Sequence, residues 1–170
     1  DDHDDFYTAA LADDVWKFEQ ASLPGKLRVL AHRFKEGPGQ FHPQLAQTVL
    51  VATLGTFGSS STVFRLSNLP FLLLLVFGTY LLARELSGPR LAVLAAFVVG
   101  TLPIVTNYSR KWDIQFHAAA LTPLGLYLAL RALRSVGRDG WKWWVALGIV
   151  QGLRMHPHPI VISDVAVTFA

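Results

Sequence analysis

The feature that most constrains this chain is the run "VFRLSNLPFLLLLVFGTYLLA" over residues 63–83. A helix needs about 20 mostly apolar residues to cross the hydrocarbon core of a bilayer, and this run has that length. Other stretches compete for the same role. "LAQTVLVATLGTF" (45–57) is too short for a span, and "LAVLAAFVVGTLPIVT" (91–106) is marginal, within what neighbouring helices and local thinning accommodate. "IQFHAAALTPLGLYLAL" (114–130) has similar length, with Pro123 as the expected kink. "WWVALGIVQGL" (143–153) runs into Pro157 and Pro159 and reads as a broken helix. Composition agrees: 52% of residues are hydrophobic and 16% charged, whereas a soluble domain carries about 25% charge. The expected fold is all-α, a polytopic transmembrane helical bundle.

Residues 1–41 are the polar part, with acids at Asp1, Asp2, Asp4, Asp5, Asp13 and Asp14 and bases at Lys17, Lys26, Arg28, Arg33 and Lys35. Phe6, Ala9, Ala10, Val15 and Phe18 recur at helical spacing. They predict one amphipathic helix, with Pro24-Gly25 and Gly37-Pro38-Gly39 as breakers. The division expected is a first extramembrane loop over 1–41, carrying amphipathic juxtamembrane helices, and a transmembrane region over 42–170. The chain starts on Asp1 and stops inside an apolar run, so it reads as part of a longer protein.

Charge sets the expected orientation. Arg84 and Arg90 fall in one loop, and Arg131, Arg134, Arg138 and Lys142 in another. By the positive-inside rule both loops face the cytoplasm. Residues 91–130 then run out and back, which leaves "NYSRKWD" on the outer side. The acidic start shares that side if 63–83 is the one crossing before Arg84, with 45–57 lying along the interface. The net charge of +3 is small and dispersed, and the chain lacks the aromatic-basic patterning of a single-strand binder. Nucleic acid is not an expected partner, and the absence of cysteine excludes disulfides and thiolate metal sites.

Several polar residues stand where a membrane protein has reason to place chemistry. In "DDHDDFY" the carboxylates suit a solvated helix start. Alternatively, one of them is a general base whose pKa is raised by its crowded like charges. His3 with Asp2 and Asp5 also offers ligands for a hard divalent ion, although the spacing matches no metal motif. Asp113 follows Arg110 and Lys111 between two apolar stretches. An ionisable residue at membrane depth is costly and points to function; the plainer reading is an interfacial ion pair anchored by Trp112. His42, His156 and His158 map to the same outer face as Arg110, Lys111 and Arg154. Cations and hydrogen-bonding groups gathered at headgroup level suit a phosphate or diphosphate. Trp141, Trp143 and Trp144 read as an interfacial belt on the inner side.

The order of these motifs resembles that of the integral-membrane glycosyltransferases of the C superfamily, in the dolichyl-phosphate-mannose protein mannosyltransferase-like and aminoarabinose transferase-like branch. In that branch an "HPPL" segment precedes an "R-L-x-x" helix and a cytoplasmic turn of the "A-R/G-R-x-L-x-G" kind. An "S-R" pair, a short gap and an Asp then open the next helix. Here these are His42-Pro43-Gln44-Leu45, Arg65-Leu66, Ala83-Arg84-Glu85-Leu86-Ser87-Gly88, and Ser109-Arg110 with Asp113. The match covers about residues 40–135, and 1–40 loosely. It departs at Gln44, where the family has a second Pro, and after 143–153, where Arg154 and His156 stand in place of a Lys.

The resemblance implies a multi-pass enzyme of the plasma membrane. It would transfer a sugar from a polyprenyl-phosphate donor to an acceptor protein or glycolipid on the outer, periplasmic or lumenal, face. It implies Asp2 or Asp5 as the base, with Asp113 orienting the acceptor or helping the base. Arg110, Lys111, His42, Arg154, His156 and His158 would hold the lipid phosphate. Such a donor requires no nucleotide, in keeping with a sequence that has no P-loop or glycine-rich phosphate cradle; a divalent metal stays open as a cofactor. The rival readings are a transporter with Asp113 and the Pro157 break as its substrate site, and a structural membrane subunit.

Overall fold

A computed structural model of the chain describes residues 12–35, 44–110, 114–135 and 140–155. The described residues are helical apart from short turns, and no strand occurs among them. They fall into two compact units, residues 1–68 and 69–170.

In the first unit, α1 (described over 12–20), α2 (Leu23–Lys35) and α3 (Gln44–Phe57) share a small core, and α4 (Ser61–Leu66) follows. Val15 and Phe18, two of the residues picked out by helical spacing, are buried with Val51 of α3; Val29, Leu30, Ala52 and Leu54 pack against them. The Phe18 ring lies on Gly55, where an added Cβ would come within 2.4 Å of Cδ1. Only glycine permits that approach. Sequence spacing gave one helix here, and the structure has two, with the break at Ala21-Ser22. Pro24-Gly25 opens α2 instead of separating segments. In the first turn of a helix a proline loses no hydrogen bond, because its N–H has no intrahelical partner there.

α3 has 14 residues, about 21 Å at 1.5 Å per residue, short of the ~30 Å a span requires. It ends on Gly58, whose φ of +86° suits glycine and whose N–H closes on Leu54 O at 2.8 Å. Ser60 then caps α4, its side chain accepting from Val63 N.

The second unit holds α5 (Leu69–Ser87), α6 (Pro89–Thr101), α7 (Pro103–Tyr108), α8 (Ile114–Ala120), α9 (Thr122–Arg134) and α10 (Gly140–Met155). Gly88, at φ +85°, turns the chain between α5 and α6 with Pro89 as the next helix start. α9 runs parallel to α5: Gly78 meets Leu124, where an added Cβ would sit 2.8 Å from the backbone nitrogen, and Glu85 meets Arg131 and Arg134. α10 returns antiparallel to α9, pairing Trp143 with Tyr127 and Arg154 with Thr122.

One stretch differs from expectation. Residues 91–106 are not one helix: Pro103 cannot donate to the preceding turn, and the chain opens at Leu102 (ψ 128°) before α7 begins. Residues 143–153 lie inside the continuous helix α10, and the break expected where the run meets Pro157 and Pro159 falls outside the described residues. The kink expected at Pro123 appears as the turn at Leu121 between α8 and α9. Two helical stretches are long and apolar enough to cross a membrane, Ser61–Ser87 and Phe116–Arg134, while Leu45–Phe57 and Pro89–Thr101 are shorter apolar helices.

Candidate functional site

The ends of the second unit differ in character. At one end Glu85 accepts from Arg134 at 2.8 Å and pairs with Arg131 at 3.5 Å, and the Arg131 guanidinium lies 4.8 Å over the Trp143 ring. Arg84, Arg90 and Lys142 are exposed in the flanking segments. The two arginine-bearing loops that the sequence places on one side of a membrane thus meet at one end of the bundle.

The other end carries the buried polar groups. Arg154, 2% exposed, donates to Gln151 Oε1 at 2.8 Å and to Thr122 Oγ1 at 3.0 Å. A guanidinium can only donate, so the Thr122 oxygen accepts, and its own proton points back to Ala118 O at 3.3 Å. Burying a cation is expensive, and these neutral acceptors offset part of that cost. Gly125, one turn along from Thr122, leaves the room: a Cβ there would lie 3.6 Å from both Arg154 Nη1 and Gln151 Nε2. His117 is buried at the start of the same helical run, its ring edge-on to Phe71 of α5 at 4.6 Å.

The first unit has its own polar core. Arg33, 3% exposed, pairs with Asp14 through both Nε and Nη2, and its Nη1 donates to Gln47 at 3.4 Å. Asp13, Asp14, Lys17, Arg28, His32 and Arg33 line a cleft of about 290 Å³ beside that pair. The hydrogen bond from Lys17 to Asp13, then the charge of the same carboxylate, holds the lysine above its usual range. That pair is on the surface and screened by solvent.

Of the residues expected to carry chemistry, Arg154 and Arg110 fall within the described residues. Arg154 is buried at the end just described, and Arg110 is exposed in the turn that follows α7. Asp2, Asp5, His42, Lys111, Asp113, His156 and His158 lie outside the described residues, as does the His3–Asp2–Asp5 set considered for a metal. No group of three or more metal-ligating side chains occurs among the described residues. Spacing missed Thr122, Gln151 and His117, and the Asp14–Arg33–Gln47 set. His117 and Gln151 did carry a signal, since each is a polar residue inside an apolar run. Asp14 and Arg33 are 19 positions apart, and no local pattern joins them.

The family model for dolichyl-phosphate-mannose-protein mannosyltransferase matches residues 42–159. The chain belongs to this family. No curated protein matches the chain significantly, and no solved structure does. The family points to a membrane glycosyltransferase, which favours neither the transporter nor the structural-subunit reading. The matched stretch spans α3 to α10 and includes both ends of the helical bundle described above.

Proposed function

We propose that the protein to which this chain belongs is a multi-pass plasma-membrane enzyme that transfers a sugar from a polyprenyl-phosphate donor to an acceptor protein or glycolipid on the outer face. The family match over residues 42–159 carries the reading. It is supported by the geometry of the second unit, which gathers the arginine loops at one end and a buried cation, Arg154, at the other. With the arginine loops in the cytoplasm, Arg154, 12 residues beyond Lys142 on α10 and so about 18 Å from it, lies on the outer side of the middle of the ~30 Å core.

The reaction asks little of the protein. Asp2 or Asp5 takes the proton of the acceptor hydroxyl, with Asp113 orienting that group. The freed oxygen bonds to the anomeric carbon of the sugar. The bond from that carbon to the phosphate oxygen breaks, and the lipid phosphate leaves with the electron pair. Arg110, Lys111 and Arg154, with His42, His156 and His158, stabilise the charge that builds on the phosphate. The reading makes no use of a metal.

The test is sugar transfer by membranes containing the full-length protein, supplied with a labelled polyprenyl-phosphate sugar. Transfer that depends on the protein supports the reading. Absence of transfer from every polyprenyl-phosphate sugar, alongside transfer from a nucleotide sugar, would overturn it.

A further inference from the structure

Gln151 has a fixed orientation and an unmet need. Because Arg154 can only donate, the amide oxygen of Gln151 must face it, and the 2.8 Å contact shows that it does. The amide nitrogen is then turned the other way. It is buried within a side chain 5% exposed, and it has no hydrogen-bond partner among the described residues. A buried amide N–H without an acceptor carries a desolvation cost that native structures rarely leave standing. Gly125 flanks that nitrogen and Arg154 Nη1 at equal reach, 3.6 Å from each to the site of an added Cβ. Both nitrogens thus lie at ordinary contact distance from the face of Gly125, where the helix has no side chain.

We propose that Gln151 and Arg154 form a two-donor seat beside Gly125 for an oxygen of a lipid-linked phosphate, with Gln151 Nε2 as a specific phosphate ligand. This rests on the polyprenyl-phosphate reading and adds to it a neutral donor that favours a directed phosphate oxygen over a diffuse anion. Arg154 supplies the charge, and Gln151 sets the direction. Thr122, holding the other face of the guanidinium at 3.0 Å, is a positioning residue.

The test uses the full-length protein in phosphatidylcholine nanodiscs and measures binding of polyprenyl monophosphate. Gln151→Glu keeps an oxygen facing Arg154 but turns the second donor into an anionic acceptor. A purely structural clamp would be kept or tightened by that change, whereas the seat would lose affinity by about tenfold or more. Gly125→Ala is the fold-preserving companion: its methyl meets both donors at ordinary contact distance, so thermal stability holds while affinity falls. Wild-type affinity in Gly125→Ala and in a folded Gln151→Glu, with loss in Arg154→Gln, would overturn the seat and leave the donor reading intact. No binding of polyprenyl monophosphate by the wild type would overturn both. Displacement by phosphatidylglycerol as readily as by polyprenyl phosphate would make this a general headgroup site and sink the assignment.

Discussion

The closest approach in the second unit gives a prediction with a sign. In Gly78→Ala, the new methyl would lie 2.8 Å from Leu124 N, 3.2 Å from Leu124 Cβ and 3.3 Å from Leu124 Cα. Favourable contacts between heavy atoms begin at about 3.5 Å, so α5 and α9 must part by roughly half an ångström. The obstructing atoms are mostly backbone, and no rotamer change relieves them. Overpacking of this kind costs about 1–3 kcal/mol, against which alanine returns up to ~1 kcal/mol of helix propensity. In α10, Gly148 and Gly152 have no atom near an added Cβ. There the same substitution gains propensity with nothing to oppose it.

The two classes should therefore differ by about 1–3 kcal/mol, or several degrees in the unfolding midpoint for a protein of this size. Thermal unfolding in one detergent, followed by tryptophan fluorescence, measures it. Gly78→Ala should melt below the wild type or level with it, and Gly148→Ala and Gly152→Ala above. If Gly78→Ala were as stabilising as Gly148→Ala, α5 and α9 would not approach as closely as described, and the parallel pairing that brings Glu85 to Arg131 and Arg134 would be in doubt.

Asp14→Asn should weaken the buried pair with Arg33 by about 1.5–3 kcal/mol, seen as faster hydrogen exchange in residues 12–35. Replacing both partners with apolar residues of like volume should cost less than the single change, and equal losses would argue against the pair. A cysteine at Ser135 should be shielded from impermeant thiol reagents applied outside, and one at Ser109 labelled; labelling at Ser135 alone would reverse the orientation. Asn replacements at Asp2, Asp5 and Asp113 should separate from Arg110→Ala and Lys111→Ala in transfer kinetics. Loss of the general base lowers turnover by about 10²–10⁴-fold, and loss of a phosphate ligand raises the donor concentration needed by about tenfold; near-normal turnover in all three Asn variants would refute these roles.

What sequence made legible was the material of the fold. Runs of apolar residues announced the helices, and Val15 and Phe18 marked the buried face of α1 because a 3.6-residue period is a local property. Proline was harder, since its effect depends on position: Pro103 opens the chain at Leu102, whereas Pro24 sits harmlessly in a first turn. Reading Pro24-Gly25 as a breaker hides the second helix of the first loop, and reading 91–106 as one stretch hides the opening at Leu102. The site was legible in part for a similar reason. Arg154 stood out as a cation next to an apolar helix, but its partners Thr122 and Gln151 depend on α9 and α10 running antiparallel, which no local pattern encodes.

The partition of side chains in the second unit argues for a lipid surrounding by a route separate from the family match. Leu73, Phe77, Val93 and Phe97 are exposed and line an open apolar groove between α5 and α6 of about 800 Å³. Ile149 is exposed on α10. His117, Gln151 and Arg154 are buried meanwhile. A domain in water would reverse this, because exposed apolar area costs about 25 cal/mol per Å² and large contiguous patches mark an interaction surface. Facing acyl chains, the same residues incur no such cost. It is then the polar groups that must turn inward to find one another. Among the described residues, Thr122, Gln151 and Arg154 meet at the start of α9 and the end of α10, while Arg131 and Arg134 pair with Glu85 at the opposite end of α9. The amide nitrogen of Gln151, without an acceptor among the described residues, is the member of this set that cohesion alone does not account for.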